Sequence, residues 1–328
     1  SALLASCTDA ELATLLNTGR AVSVGVGGAS ATLDVDGAPV FAKRIPLTDR
    51  ELAHPRSTAN LFDLPMFCQY GIGSPGFTAW RELAANIMVT EGVLAGETES
   101  FPLLHHWRVL PGRPPIAAEH ADLDTAVAAL DGHPAVRARL QALATASCSL
   151  VLFCEYLPGS MISWLREDPM SKVDTVEQQL SRIVAFLGRR ELLHMDGHFG
   201  NMRTDGGRIY LTDFGLATSP RFDLSAAEHD FARRNATHDA DYAAMRLVNW
   251  LVTALCGMAL PAGGDRTTPR TARNEYVFRC AAGQVPDDVP PAVTAILTRH
   301  APAAARMNSF YERLFSGEVR AEYPGWSG

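Results

Sequence analysis

The apolar period of this chain shifts along its length, from about two residues at the front to between three and four behind, and that shift limits the folds open to it. Ala21 to Val26 alternates apolar and small residues, a glycine-rich turn follows (Gly25, Gly27, Gly28), and Ala31 to Val35 is a second strand-like run. Asp36-Gly37 is a hairpin dipeptide, because both residue types tolerate positive φ, and Pro39 to Ile45 reads as a third strand. Ahead of these runs, Thr8-Asp9-Ala10-Glu11 has the spacing of a capping box before the stripe Leu12, Leu15, Leu16. Beyond residue 222 the apolar residues recur at helical spacing, broken by Pro/Gly-rich stretches at 261–269 and 283–291. The expectation is an α+β protein with a small antiparallel sheet in front and a mainly helical part behind.

Between these ends the signals alternate. Thr78 to Leu94 reads as a helix with Trp80, Leu83, Ile87 and Leu94 among its apolar positions, and residues 46–78 resist assignment. Ser149 to Tyr156 is an apolar strand ended by Pro158-Gly159; lying between the two parts, it reads as a hinge. Val176, Leu180, Ile183, Val184 and Leu187 mark another helix, with Thr175 and Gln178 as its capping candidates. A hairpin follows, Asn201 to Thr204 and Arg208 to Leu211 around Asp205-Gly206-Gly207.

Composition removes several classes of function. The 36 acidic residues outnumber the 29 basic ones, a net charge of −7, so a dedicated nucleic-acid binder is not expected. The most apolar stretch, Leu247 to Leu260, is interrupted by Asn249 and falls short of the roughly 20 residues that cross a bilayer, so it reads as a buried helix and no membrane partner is expected. Six scattered cysteines without a Cys-x-x-Cys pair suit reduced thiols in a cytoplasmic protein. The first residues lack the basic start of a signal peptide, and Tyr323 and Trp326 read as packing residues or a loose tail.

The densest polar run is His194-Met195-Asp196-Gly197-His198-Phe199-Gly200-Asn201, and Asp213-Phe214-Gly215 follows the hairpin. Two acids and an amide around one hairpin suit oxygen ligation of a hard cation such as Mg²⁺, with Asp196 left to address a hydroxyl. His194, Asp196 and His198 also alternate as zinc or iron ligands would, which keeps a metal hydrolase as a rival, although no second His/Asp cluster accompanies them. A serine hydrolase and a Walker-type ATPase lack their motifs, since the chain has no Gly-x-Ser-x-Gly and no Gly-Lys pair.

Taken together these residues resemble the protein-kinase-like superfamily, and most closely aminoglycoside phosphotransferases and related small-molecule kinases. The resemblance rests on Asp196 preceding Asn201 by five positions, on Asp213-Phe214-Gly215, and on their order over roughly residues 20–260. It implies a bilobal fold, with 1–157 as the sheet-bearing lobe, carrying an insertion at 44–79, and 158–328 as the helical lobe with the catalytic loop and the Asp213-Phe214-Gly215 segment. It implies ATP and Mg²⁺ as cofactors. Gly25, Gly27 and Gly28 would cover the phosphates. Lys43 would contact them, oriented by Glu82 or, failing that, Glu91. The backbone of Glu155 and Leu157 would meet the adenine edge, Asn201 and Asp213 would hold the metal, and Asp196 would act as catalytic base. Only two lysines occur against 27 arginines, so a lysine inside the apolar strand Phe41-Ala42-Lys43 is informative. Met195 stands where many protein kinases carry Arg, His198 where Ser/Thr kinases carry Lys, and no Ala-Pro-Glu follows Asp213. These departures favour a small-molecule hydroxyl as acceptor over a Ser/Thr protein or peptide. A pseudokinase that binds nucleotide without turnover is the non-enzyme alternative.

Overall fold

A computed structural model describes residues 1–258, 271–286 and 289–325. The chain divides into two compact units, Ser1–Leu157 with Thr212–Asp230, and Pro158–Leu211 with Phe231–Gly328.

The first unit begins with α1 (Ala2–Ser6) and α2 (Asp9–Thr18). The start of α2 is the expected capping box: the Thr8 hydroxyl accepts the Glu11 N–H, and the Glu11 carboxylate accepts the Thr8 N–H at 2.7 Å. Five strands follow, β1 (Arg20–Gly25), β2 (Gly28–Val35), β3 (Ala38–Leu47), β4 (Leu104–Pro111) and β5 (Cys148–Glu155). They form one antiparallel sheet in the order β1-β2-β3-β5-β4. The β2–β3 turn is closed by Asp36 and Gly37, both with positive φ (56° and 79°), as the dipeptide predicts.

Side-chain alternation gives the two sheet faces separate cores. Val40 and Ala42 of β3 pack with Leu4, Leu12, Leu33, Val151 and Phe153. Ile45 and Leu47 point the other way and pack with Leu150, Leu152 and the residues Ala79, Trp80 and Leu83.

Those last three residues belong to a helix. Between β3 and β4 lie α3 (Asp49–Ala53) and α4 (Ala79–Leu94); between β4 and β5 lie α5 (Leu123–Ala128) and α6 (Pro134–Ala144). The two insertions share a core of Phe62, Leu64, Phe77, Val127, Val136 and Leu140. A buried ion pair pins them: Arg139 of α6 grips both carboxylate oxygens of Glu51 at 2.8 and 3.1 Å. Glu51 also caps α3 by accepting the Thr48 N–H, and accepts the Ala79 N–H at the start of α4. One carboxylate thus joins three helices.

The second unit holds a three-stranded sheet of β6 (Gly159–Ser160), β7 (Met202–Thr204) and β8 (Ile209–Leu211), with α7 (Met161–Trp164) and α8 (Val173–Arg189) between β6 and β7. The α8 start corrects the capping expectation. A 3₁₀ turn at Met170–Lys172 leads directly into Val173, which is buried, so Thr175 and Gln178 lie inside the helix and no side chain caps it. α9 (Ala226–Arg234) straddles the division at residue 230, and α10 (His238–Ala254), α11 (Thr271–Ala281) and α12 (Pro291–Phe315) belong to the second unit. Asn249 and Asn308 exchange two amide hydrogen bonds of 2.9 and 3.0 Å between α10 and α12, which explains the polar interruption in the apolar stretch. Residues 259–260 of that stretch, the 261–269 segment and Trp326 lie outside the described residues. Among the described residues no helix is long and apolar enough to cross a membrane. All six cysteines carry free thiols, and burial pushes those of Cys68 and Cys154 up to about 12.

Candidate functional site

In the first unit, Lys43 points from β3 to the face that α4 covers, because it keeps the parity of Ile45 and Leu47. Its Nζ stands 2.6 Å from Glu82 Oε1 and 2.7 Å from Asp213 Oδ1. The Glu82 side chain is 4% exposed and that of Asp213 is 42% exposed, so one carboxylate is sealed in and the other faces solvent. Glu82 sits in the first turn of α4, on the buried stripe with Ala79, Leu83 and Asn86, whereas Glu91 lies on the exposed face. The lysine therefore meets Glu82 and not Glu91.

Burial disfavours the charge on both partners, with different outcomes. For Lys43 the carboxylates of Asp213 and Glu82 outweigh burial, and its pKa lies above the ordinary lysine value. For Glu82 burial prevails over the attraction of Lys43, Asp213 adds to it, and the pKa is pushed up to about 7. Asp213 adopts a left-handed backbone (φ 67°), rare for a non-glycine residue and typical of functional turns.

The glycine turn closes over this cluster. A Cβ on Gly27 would stand 3.1 Å from Lys43 Nζ and 3.9 Å from Asp213 Oδ1. Gly28 has φ +117°, and a Cβ there would overlap the Arg44 carbonyl. Around Gly25 there is open space. Glu155 ends β5 with its N–H donated to the Leu103 carbonyl at 2.8 Å, and Leu157 is buried.

The segment after Asp213 is tied to the first insertion. Phe214 packs on Phe101, the Gln69 amide donates to the Leu216 carbonyl, and the Thr58 hydroxyl accepts the Asp223 N–H at 2.8 Å. Arg81 of α4 is paired with Glu228, both buried. Thr58 and Gln69 lie in the stretch that resisted sequence assignment.

In the second unit, the loop from His194 to Asn201 folds on its own polar groups. His194 is buried and its Nδ1 accepts the Asp196 N–H at 3.2 Å. His198 accepts the Asn201 N–H on Nδ1 at 3.2 Å, which opens the 3₁₀ turn Phe199–Asn201, and its Nε2 is 3.7 Å from Asp196 Oδ2. Asn201 Nδ2 donates to the carbonyl of Asp196 at 3.0 Å and to its carboxylate Oδ2 at 3.1 Å. Both histidines thus brace backbone. Among the described residues, no three or more His, Cys, Asp and Glu side chains gather as metal ligands would.

One residue of this loop's support escaped the sequence reading. Asp239, near the start of α10, accepts the His194 N–H at 2.6 Å and the Met195 N–H at 3.0 Å, 45 and 44 residues away in sequence. Burial would raise its pKa, but hydrogen bonds and charge from His238, with those of His194, hold it below the usual aspartate range. Its sequence signal is an ordinary one, an acid in a helix's first turn, where it reads as dipole compensation.

A scan against protein-family models and a search of curated proteins both returned no match for this chain.

Proposed function

We propose that this chain is a kinase-like phosphotransferase that moves the γ-phosphoryl group of ATP to an acceptor hydroxyl. The observation that carries the reading is the convergence of Lys43, Glu82 and Asp213 under the glycine turn, from positions 39 and 170 residues apart in sequence. The first unit is then the nucleotide-binding lobe of a bilobal kinase-like fold, and the second carries the catalytic loop.

Mg²⁺ suits the chemistry of each residue taken by itself: Asp213 in the first unit is a half-exposed carboxylate, and Asn201 in the second carries an amide oxygen, both hard oxygen donors. When bound, Mg²⁺ supplies charge neutralisation on the phosphate oxygens. Lys43, held by Glu82, contacts the α/β-phosphates, and Gly27 lets the turn backbone approach them. Asp196, its carboxylate fixed by Asn201, orients the acceptor hydroxyl. The acceptor oxygen bonds to phosphorus as the bond to the bridging oxygen breaks and ADP leaves, and the hydroxyl proton passes to Asp196. Transition-state charge is diffuse, so positioning and electrostatics supply most of the rate.

The acceptor is read as a small molecule. The segment after Asp213 is short, lacks Ala-Pro-Glu, and is tied down by Gln69, Thr58 and Arg81, which supports an acceptor other than an extended peptide.

A thermal-shift series tests the proposal. ATP at about 100 times its Kd should add about 2.7 kcal/mol of stability, read as a higher Tm. The rise should need Mg²⁺ and vanish in Asp213→Asn. No shift with any nucleotide would overturn the nucleotide site. A shift with no turnover on a panel of hydroxyl acceptors, peptides included, would favour the pseudokinase.

A further inference from the structure

Behind the His194–Asn201 loop, a chain of buried aromatic and polar contacts leads away to the segment that follows α12. Tyr323 is buried there, and its hydroxyl donates to Asp241 Oδ2 at 2.7 Å. With that proton committed, Thr237 Oγ1 donates to the Tyr323 oxygen at 2.9 Å. Arg306 of α12 also reaches Asp241 Oδ2, at 3.0 Å. These bonds fix residue 323 against the first turn of α10.

So fixed, the Tyr323 ring stands edge-on to the imidazole of His238, with centroids 5.4 Å apart and planes at 74°. Tyr242, one helical turn on, stacks nearly parallel to the same imidazole at 5.7 Å and 14°. His238 is fully buried between the two tyrosines, with Nδ1 3.2 Å from Asp239 Oδ1. An ionised carboxylate only accepts, so Nδ1 carries the proton and donates. Asp239 then receives the His194 N–H on Oδ2 and the Met195 N–H on Oδ1. Met195 itself has φ 66°, a conformation that costs a side-chain-bearing residue free energy and persists only where its surroundings hold it.

We infer that Tyr323 and His238 are positioning residues for the Asp196 loop. The Tyr323 ring walls the imidazole, the imidazole orients the Asp239 carboxylate, and the carboxylate holds the strained backbone at 194–195. A catalytic purpose for that loop rests on the phosphotransfer reading; the mechanical link does not. A segment that follows the last helix in sequence thereby acts on residues about 130 positions earlier through contacts inside one unit.

Amide hydrogen exchange on the full chain tests the link, because local opening is read residue by residue. His238→Leu removes the donor and Tyr323→Ala removes the wall. In both, the His194 and Met195 amides should exchange about tenfold faster or more, while those of β7 and β8 keep their wild-type rates. His238→Asn, whose Nδ2 can replace Nδ1, should restore protection to near wild type, and Tyr323→Phe, which keeps the ring and loses the hydroxyl anchor, should fall between wild type and Tyr323→Ala. The His238 nitrogen resonances should show the Nδ1–H tautomer in wild type and a mixed tautomer in Tyr323→Ala. Unchanged exchange at 194–195 in His238→Leu would overturn the inference. So would equal loss in the conservative and disruptive variants, which would mean bulk packing only. Should Tyr323→Ala fail to fold, the His238 pair decides. ATP binding is measured on the same samples: an intact relay in a protein that binds no nucleotide would sink the phosphotransfer reading and leave the positioning role standing.

Discussion

Lys43 Nζ and Glu82 Oε1 lie 2.6 Å apart across 39 residues of sequence, with the glutamate sealed under β3 and the lysine shared with Asp213. The pair is held on both sides by regular structure, so the lysine's direction is set before any ligand arrives.

Removing the glutamate's charge should therefore act through position. On the proposed phosphotransfer, Glu82→Gln, which keeps the shape and loses the ion pair, should cost on the order of 100-fold in turnover by misplacing the lysine. Glu91→Gln, on the exposed face of α4, should leave turnover unchanged. Steady-state kinetics with ATP on both variants check the contrast, and equal losses would dismiss the pairing as functional.

The same glutamate should leave a mark on stability against pH. Its folded pKa, about 7, lies above its ordinary value of 4.5. Between those values the folded chain keeps a proton that the unfolded chain has released, so its contribution to stability is greatest below pH 4.5 and falls as pH rises to 7. Lys43 is also raised, but it loses its contribution only at strongly alkaline pH and adds no slope in this window. The difference in unfolding free energy, wild type minus Glu82→Gln, should fall from pH 4.5 to 7 and flatten above. Urea titrations at a series of pH values measure it, and a difference that rises with pH would refute the assignment.

The buried pair Arg139–Glu51 joins the two insertions, and breaking one side leaves a carboxylate stranded at 0% exposure. Arg139→Met should cost about 3–5 kcal/mol. The double variant Arg139→Met with Glu51→Gln should recover part of that loss, because the stranded charge is gone. Denaturant unfolding of the single and double variants provides the comparison.

The three glycines of the turn should not be equivalent. Gly28→Ala forces a side chain into positive φ and onto the Arg44 carbonyl, and should destabilise by about 1–3 kcal/mol. Gly25→Ala meets open space and should stay within about 0.5 kcal/mol of wild type. Gly27→Ala should fold normally and weaken ATP binding, since its Cβ would stand 3.1 Å from Lys43 Nζ. Thermal unfolding and nucleotide titration separate the three.

Much of the local structure was legible because it is written in short range. The Thr8 box, the Asp36-Gly37 turn, α4 and β5 all follow from residues within a few positions of one another. β4 was not legible. Leu104 to Pro111 includes His105, His106 and Arg108, a poor apolar alternation, because it is a half-buried edge strand whose Arg108 pairs with Asp9 at 2.7 Å. The α8 cap failed for a related reason: a preceding turn that buries Val173 set the start, in place of a side-chain signal.

By itself the sequence determined the local elements and where the candidate residues stand on them: a lysine in an apolar strand, two acids and an amide around a hairpin, and glycines at a turn. Only the tertiary structure decided that Glu82 rather than Glu91 faces Lys43, that Gln69, Thr58 and Arg81 tie down the segment after Asp213, and that Asp239 holds the His194–Met195 backbone. The physical reason is range. Periodicity and turn chemistry report on neighbours a few residues apart, whereas a buried carboxylate's partner is chosen by which helix face and which distant backbone N–H arrive at the same place after burial.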